Sequence, residues 1–502
     1  MGIIGKQTIQ STVLVYLGIG LGFVTVGVLM PNVFTPAQNG LLSVLISYSV
    51  IVASLGQLGF NATTIRFFPH FRNSKRAHHG FLWLSSLVAL AGGVVFVGGL
   101  YLLKPLLLQT TASDAQLLAH YFWTLAPLAF FQLGYAVFDN YLRMLYDTVT
   151  GTFLKEFLMK LLMLCTVALY GLQQISFDTY LLLWVTWVGL MMVFIMLKLK
   201  AMDELSFRSD WLFLKQHRPL LNEMTHYSAF ALFAGMAGIF LLHVEPIVVQ
   251  HYLGFAATGI FKITSVFGVV IFAPSKMLYR ISATVLADAW KENQRLVIQD
   301  VYRKSAINQT IIGTLVLVGI LSNLHNVFQW LPAVYQAGYW VIVLYGISGL
   351  LDMSIGTGSL ILGTSRYYRY ETLLVLTLLV VSVSLYVLLI PKFGIIGCAV
   401  ASLCGIVVIN TGRGLVIWTK FQMQPYSWKH LWVLGIGAVT FGLVHFLPVF
   451  QIVIIDLIVR SVCITMLFVS LAYRLNVSNE LNQQLEKVRR WLKNLSVSKN
   501  PK

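Results

Sequence analysis

Apolar residues along this chain come in long unbroken runs, not in the alternation of half-buried strands. Fourteen stretches are each apolar enough to cross a bilayer: roughly 8–30, 40–64, 80–103, 118–141, 157–173, 179–198, 225–249, 257–281, 306–325, 338–362, 372–390, 395–418, 431–447 and 451–473. A spanning helix needs about 20 such residues. Barrel strands would be shorter and would alternate. Hydrocarbon also forces the backbone to satisfy its hydrogen bonds internally. The pattern therefore predicts an all-α polytopic membrane protein with 14 transmembrane helices. The first run, preceded by Lys6, is longer than the core of a cleavable signal and reads as the first span.

The polar residues between the runs supply orientation. Alternate connections hold Arg66, Arg72, Lys75 and Arg76, then Arg143 and Lys155, then Lys198, Lys200, Arg208, Lys215 and Arg218. Lys291, Arg295, Arg303 and Lys304 follow, then Arg366 and Arg369, then Lys420 and Lys429, with seven more after Tyr473. The opposite connections hold only Lys104 and Lys392. By the positive-inside rule the basic side and both termini are cytoplasmic. One missed span would scramble the alternation.

Composition excludes several classes of function. The chain is 58% hydrophobic and only 11% charged, against about 25% charged in a soluble domain. The net charge of +17 sits in short loops and the tail, so it reads as a topology signal and nucleic acid is not expected as a partner. Cys165, Cys398, Cys404 and Cys463 lie inside apolar runs without metal-ligand spacing and imply no disulfide framework. His78 and His79, in a basic inner loop, read as solvated. There is no phosphate-binding loop, no zinc motif and no cofactor motif. No outer loop is long enough to hold a catalytic site. The chain is therefore read as a transporter and not an enzyme, with no cofactor or metal.

The longest internal polar segment, 198–224, divides the runs into six plus eight. Leu205, Phe207, Trp211, Leu212 and Leu214 alternate with charge there, predicting an amphipathic helix on the inner surface. In the tail, Leu481, Leu485, Val488, Leu492 and Leu495 share a helical face against Lys487, Arg489, Arg490 and Lys493. An internal echo links the entries to spans two and eight. Phe34-Thr-Pro-Ala-Gln-Asn-Gly40 and Leu253-Gly-Phe-Ala-Ala-Thr-Gly259 each carry an alanine and, three residues later, a glycine opening the next helix. Repeats of six helices share one orientation, as in several transporters.

These segments, together with Gly56-Gln-Leu-Gly-Phe-Asn-Ala-Thr-Thr-Ile-Arg66, Tyr335-Gln-Ala-Gly, Gly363-Thr-Ser-Arg366-Tyr-Tyr-Arg369-Tyr and Pro391-Lys-Phe-Gly394-Ile-Ile-Gly397, resemble the polysaccharide-export (O-antigen type) flippases. That family belongs to the superfamily that also holds the multidrug and toxic compound extrusion pumps and the lipid II flippase. The resemblance implies two six-helix lobes in a V-shape plus two extra C-terminal helices. The expected domains are 1–200, a cytoplasmic linker at 201–224, a second lobe at 225–420, an added pair at 421–474 and a basic tail at 475–502. It also implies a monomer of the bacterial cytoplasmic (inner) membrane, with glycan-polymerisation proteins as prospective neighbours. The cargo would be undecaprenyl-diphosphate-linked oligosaccharide, moved from the inner to the outer leaflet by alternating access.

Ionisable residues within spans are functional candidates because lone buried charges are expensive. Glu245 and Lys262 flank a short outer turn at similar depth. They read either as a structural pair or as cavity groups, Lys262 for the diphosphate and Glu245 for a coupling H+ or Na+. Lys276 and Arg280 are one helical turn apart and suit a diphosphate, or serve as interfacial anchors. Arg66 is their counterpart at the inner end of span two, and Asn61 suits a sugar. Asp352, alone in the middle of span ten, is a second ion-coupling candidate, with Arg413 as a prospective partner. Asp139 with Arg143, and Asp456 with Arg460, have the i, i+4 spacing of self-neutralising pairs. Pro246 beside Glu245 predicts a bend. The glycines of span one predict close helix approach. Two rival functions stand beside the flippase: an ion-coupled exporter of small amphipathic cations, and a membrane-embedded glycosyl or acyl transferase.

Overall fold

The computed structural model describes residues 3–109, 111–272 and 274–498. In chain order its main helices are α1 (Ile3–Phe23), α2 (Pro36–Gly56), α3 (Phe60–Phe71), α4 (Phe81–Leu102), α5 (Leu125–Met144), α6 (Met159–Gly171), α7 (Phe177–Ala201) and α8 (Trp211–Gln216). Then come α9 (Arg218–Val269), α10 (Ser275–Lys291), α11 (Arg295–Ser322), α12 (Tyr339–Ser354), α13 (Gly358–Thr364), α14 (Tyr368–Phe421), α15 (Trp428–His445), α16 (Val453–Arg474) and α17 (Asn479–Ser498). Two wider π turns, Val24–Leu29 and Phe153–Leu158, follow α1 and precede α6.

Among the described residues, ten helices are long and apolar enough to cross a membrane. Two of them, of 55 and 54 residues, would run to about 80 Å if straight, against a hydrocarbon layer of about 30 Å. Each is folded at a glycine instead: Gly254 (φ 84°, ψ 177°) in α9 and Gly394 (φ 60°, ψ −143°) in α14. The fold in α14 is tight enough that Gly397 lies against the Leu389 carbonyl. Each folded helix thus holds two of the apolar stretches counted in the sequence. The two stretches not among the ten lie in α6 and α15. The charged residues Lys155, Glu156 and Lys160 enter the first, and the second is 18 residues with Lys429 and His430 at its start.

Cα proximity divides the chain into two compact units, Met1–Ile263 with Val383–Cys398, and Thr264–Ser382 with Ala399–Lys502. In the first, α2, α4, α5 and α7 form the packed centre. One end of it is closed by an aromatic cluster of Phe67, Phe68, Phe71, Phe81 and Tyr141. In the second, α11 is the hub against which α10, α12, α15 and α16 pack.

Small residues set the closest approaches. The two echoed segments touch each other in the first unit: a Cβ on Gly40 would collide with the Phe255 carbonyl, and one on Gly259 with the Pro36 carbonyl. Of the glycines in span one, Gly18 packs against the Glu156 carbonyl, whereas nothing lies within 4 Å of a Cβ built on Gly20. The expectation of close approach therefore holds at Gly18 and not at Gly20.

Two polar features secure the ends. Asp456 is fully buried and receives hydrogen bonds from Arg460 Nε (2.7 Å), Asn326 Nδ2 (2.6 Å), His325 Nε2 (2.8 Å) and the Phe450 amide (3.0 Å). Arg460 in turn donates to the carbonyls of Val444, Leu447 and Pro448, which caps the end of α15. This pair ties α15 and α16 to the end of α11. In the first unit, His78 and His79 are buried, not solvated. His78 Nδ1 accepts the Asn73 amide (3.0 Å), so its Nε2–H donates to Glu204 (2.9 Å). His79 Nδ1 meets Asp210 at 2.8 Å and its ring stacks on Phe213. The turn that delivers both rings is left-handed at Ala77, His78, His79 and Gly80. The expected surface helix in the linker is the short α8, with Trp211 and Leu212 exposed and Leu214 buried.

Gly40→Val is expected to cost about 1–3 kcal/mol by overpacking, while Gly20→Ala leaves the unfolding midpoint in detergent unchanged. Asp456→Ala leaves the Arg460 guanidinium buried without its carboxylate. It is expected to lower stability by about 3–5 kcal/mol, read by the same melt. The Asp210 carboxyl is held below the usual carboxylate range, by the His79 hydrogen bond first and by the Phe213 amide second. A depressed carboxylate stabilises the fold above its unfolded pKa, and that contribution is lost as pH falls through the native value. Amide exchange at 203–217 should therefore accelerate below about pH 4, and Asp210→Ala should reproduce the acceleration at neutral pH.

Candidate functional site

The sequence Gly56-Gln-Leu-Gly59 interrupts the second apolar stretch. α2 ends at Gly56, Leu58 (φ 49°) and Gly59 (φ 73°) are left-handed, and α3 starts at Phe60. The single helix expected over 40–64 is therefore two. Backbone that leaves the helix at membrane depth persists where protein buries it or where it lines a hydrated cavity. The first condition is met here. Gly56 packs against Gly92 and Gly93 of α4, and a Cβ on Gly59 would collide with the Ser228 carbonyl of α9. Between the break and α9 lies a cavity of about 200 Å³ lined by Ser54, Gln57, Gly59, Asn61, Gly235 and Met236. A similar interruption follows α12, where Gly356 (φ 59°) lies against the Ala306 backbone and separates α12 from α13. Discontinuous helices of this kind form the ion and substrate sites of many transporters.

The predicted residues fall around these breaks as follows. Asn61 is exposed and lines the cavity at the start of α3. Arg66 lies further along α3, half exposed, with Nη2 3.2 Å from Glu223 Oε1. Its guanidinium also covers the Tyr227 ring at 4.6 Å. Thr63 and Ser228 hydroxyls meet at 2.6 Å beside it. The inner half of span two is thus pinned to the start of α9 by one ion pair, one cation–π contact and one hydroxyl pair.

Glu245 lies one residue before Pro246 in α9 and accepts a hydrogen bond from the Tyr386 hydroxyl at 2.8 Å. Lys262, half-buried in the same unit, lies within Coulombic reach of Glu245. Lys276 and Arg280 belong to α10, but their side chains lie outside the described residues. In the second unit Asp352 Oδ1 is 3.8 Å from Arg413 Nη1. Arg413 is gripped more tightly by Glu371, with Nη2–Oε1 at 2.6 Å and Nε–Oε1 at 3.1 Å, and Nη1 also donates to Asn410 Oδ1 at 3.3 Å. Asp352 is therefore the second carboxylate on one guanidinium and not a solitary charge.

Gln57, a polar residue of span two that the sequence offers beside Asn61 for a sugar, lines the same cavity. Sequence reasoning passed over Tyr386, Glu371 and Glu223, which are ordinary residues until the fold sets them beside a charge. Among the described residues, no group of His, Cys, Asp and Glu is arranged to hold a metal ion.

No protein-family model matches the chain, and no curated protein sequence matches it. Solved structures do. The lipid II flippase MurJ in an inward closed conformation superposes with a TM-score of 0.73 at 12% identity, covering 94% of this chain and 100% of that one. An inward-facing multidrug resistance MATE family transporter of the MOP superfamily superposes with a TM-score of 0.59 at 14% identity, covering 86% of this chain and 94% of that one. At such low identity the likeness concerns the fold: this chain is a multi-pass helical membrane protein built on the architecture that MurJ and MATE transporters share.

Proposed function

We propose that this protein is a flippase that carries undecaprenyl-diphosphate-linked oligosaccharide from the inner to the outer leaflet of the bacterial cytoplasmic membrane by alternating access. The observation that carries this reading is the broken second span, whose unwound turn brings Ser54, Gln57 and Asn61 to a largely apolar cavity in a fold like that of a lipid-carrier flippase. The proposal includes fourteen spans, with two six-helix lobes and an added C-terminal pair, a monomer and cytoplasmic termini. In it, Arg66, Lys262, Lys276 and Arg280 receive the diphosphate and Asn61 the glycan. Arg66 then exchanges Glu223 for phosphate oxygens when cargo loads, a trade of one charge-assisted bond for another. Glu245 and Asp352 are the proposed ion-coupling carboxylates, for H+ or Na+. A ligand shifts the balance of states only through different affinity for each of them, so the ion must bind one arrangement better.

The fold shared with a MATE transporter keeps an ion-coupled exporter of amphipathic cations as the second reading. The cations along the proposed path favour an anionic passenger over it.

Reconstituted protein is expected to move undecaprenyl-diphosphate oligosaccharide between leaflets, read by lectin access to the glycan. Lys262→Ala should slow transfer about tenfold or more, the worth of one charged hydrogen bond, and Lys262→Arg should retain most of it. Glu245→Gln and Asp352→Asn should remove its dependence on the ion gradient. Vesicles that export a cationic dye but leave the glycolipid unmoved would establish the exporter instead.

A further inference from the structure

A second cavity lies on the other side of the broken helix. It has a volume of about 350 Å³ and is lined by α2, α5, α7 and the π turn before α6. Most of its wall is apolar, from residues such as Val50, Met159 and Val188, but a small polar set converges on it: Ser54, Gln57, Gln132 and Lys155. Tyr135 and Trp184 add aromatic wall. This is the composition of a small-ligand site, an apolar chamber of about 300 Å³ or more with a few placed polar groups. Ser54 and Gln57 line both cavities.

Lys155 is the group that needs explaining. It stands in the π turn Phe153–Leu158, whose extra residue per turn breaks the helical register. Every nearby acid already has a cation of its own. Asp139 is held by Arg143 at 2.7 Å, Glu156 by Lys160 at 2.8 Å, and Asp147 by Lys198 at 3.8 Å. Among the described residues Lys155 forms no ion pair or hydrogen bond, and its side chain is exposed into the chamber. The π turn itself is fixed from behind, because Gly18 of α1 lies directly on the Glu156 carbonyl. Lys155 thus brings an exposed ammonium without an ion-pair partner to a mostly apolar wall, where an incoming anion would gain a charge-assisted bond.

We infer that this chamber is a binding site for a phosphorylated sugar, with Lys155 holding a phosphoryl oxygen and Gln57, Gln132 and Ser54 reading sugar hydroxyls. The ammonium gives charge, the two amides supply both donors and acceptors, and the Trp184 ring offers a flat apolar wall. Gln132 already donates to the Ser49 hydroxyl at 3.2 Å, which holds its amide at the chamber wall. The inference rests on the flippase reading and deepens it, adding a head-group site beside span two.

The test uses the full chain in detergent with N-acetylglucosamine 1-phosphate and, separately, inorganic phosphate as probes. Binding is read by calorimetry. The wild type should bind the sugar phosphate, Lys155→Gln should weaken that binding at least tenfold, and Lys155→Arg should largely restore it. Gln57→Leu should weaken the sugar phosphate while leaving inorganic phosphate unaffected. Unliganded melting midpoints equal to wild type show that the variants fold. Equal affinity in wild type and Lys155→Gln, or no binding of either probe to the wild type, overturns the site. The leaflet-transfer assay separates the two claims. Transfer of glycolipid with unchanged rate in Lys155→Gln sinks this site and leaves the flippase standing. Sugar-phosphate binding that depends on Lys155, without any transfer, supports the site and sinks the flippase.

Discussion

Hydrocarbon offers no partner to a peptide group, and every feature of this molecule answers to that constraint. A backbone N–H or C=O left open to lipid costs several kcal/mol, so the chain crosses as helix and departs from helix only where protein closes over the gap. The break at Gln57–Gly59 obeys this rule. Its amides and carbonyls are taken up locally, with Phe60 N–H on the Gln57 carbonyl at 2.8 Å and Leu58 N–H on the Leu55 carbonyl at 2.9 Å. Glycines then let α4 and α9 close over it on either side. The fold at Gly254 is handled differently. The amide of Phe255, freed by the extended glycine, is taken by the Asp114 carboxylate at 3.0 Å.

Close packing in a bilayer cannot rely on expelling water, since lipid is as apolar as leucine. Backbone approach at small residues takes its place. The reciprocal seating of Gly40 on Phe255 and Gly259 on Pro36 gives the echoed sequence segments a physical meaning, because each glycine exists to admit the other segment's carbonyl. The same device places Gly18 on the π turn that carries Lys155.

Charge is distributed by the same logic. Asp456 and Arg460 are buried to near zero exposure and every donor around them is directed at an acceptor, which is the arrangement of a fastener. Arg413 is shared between Glu371 and Asp352 at unequal distances, so one carboxylate is loosely held. Lys155 lines a chamber, and the acid within its electrostatic reach, Asp139, is bonded to Arg143. This gradient, from fully matched to unmatched charge, separates groups that hold the fold from groups able to take a ligand.

Residue order by itself determined the membrane class, the helical build, the i, i+4 pairs at Asp139 and Asp456, and the kinship of the segments around Gly40 and Gly259. Each of these depends on neighbours within one or two turns or on long runs of apolar character, which are properties of a linear string. Tertiary structure alone decided where helices stop inside an apolar run, since Leu58 and Gly356 look like ordinary span residues until a neighbouring backbone presses on them. It also decided which charges are spent. Lys155 counted as one more inner-loop cation, and although Arg413 was a prospective partner for Asp352, the tighter hold of Glu371 on that guanidinium left no trace in spacing. Burial of His78 and His79 was likewise invisible, for a basic, polar loop reads as solvated until the linker at Glu204 and Asp210 is folded over it.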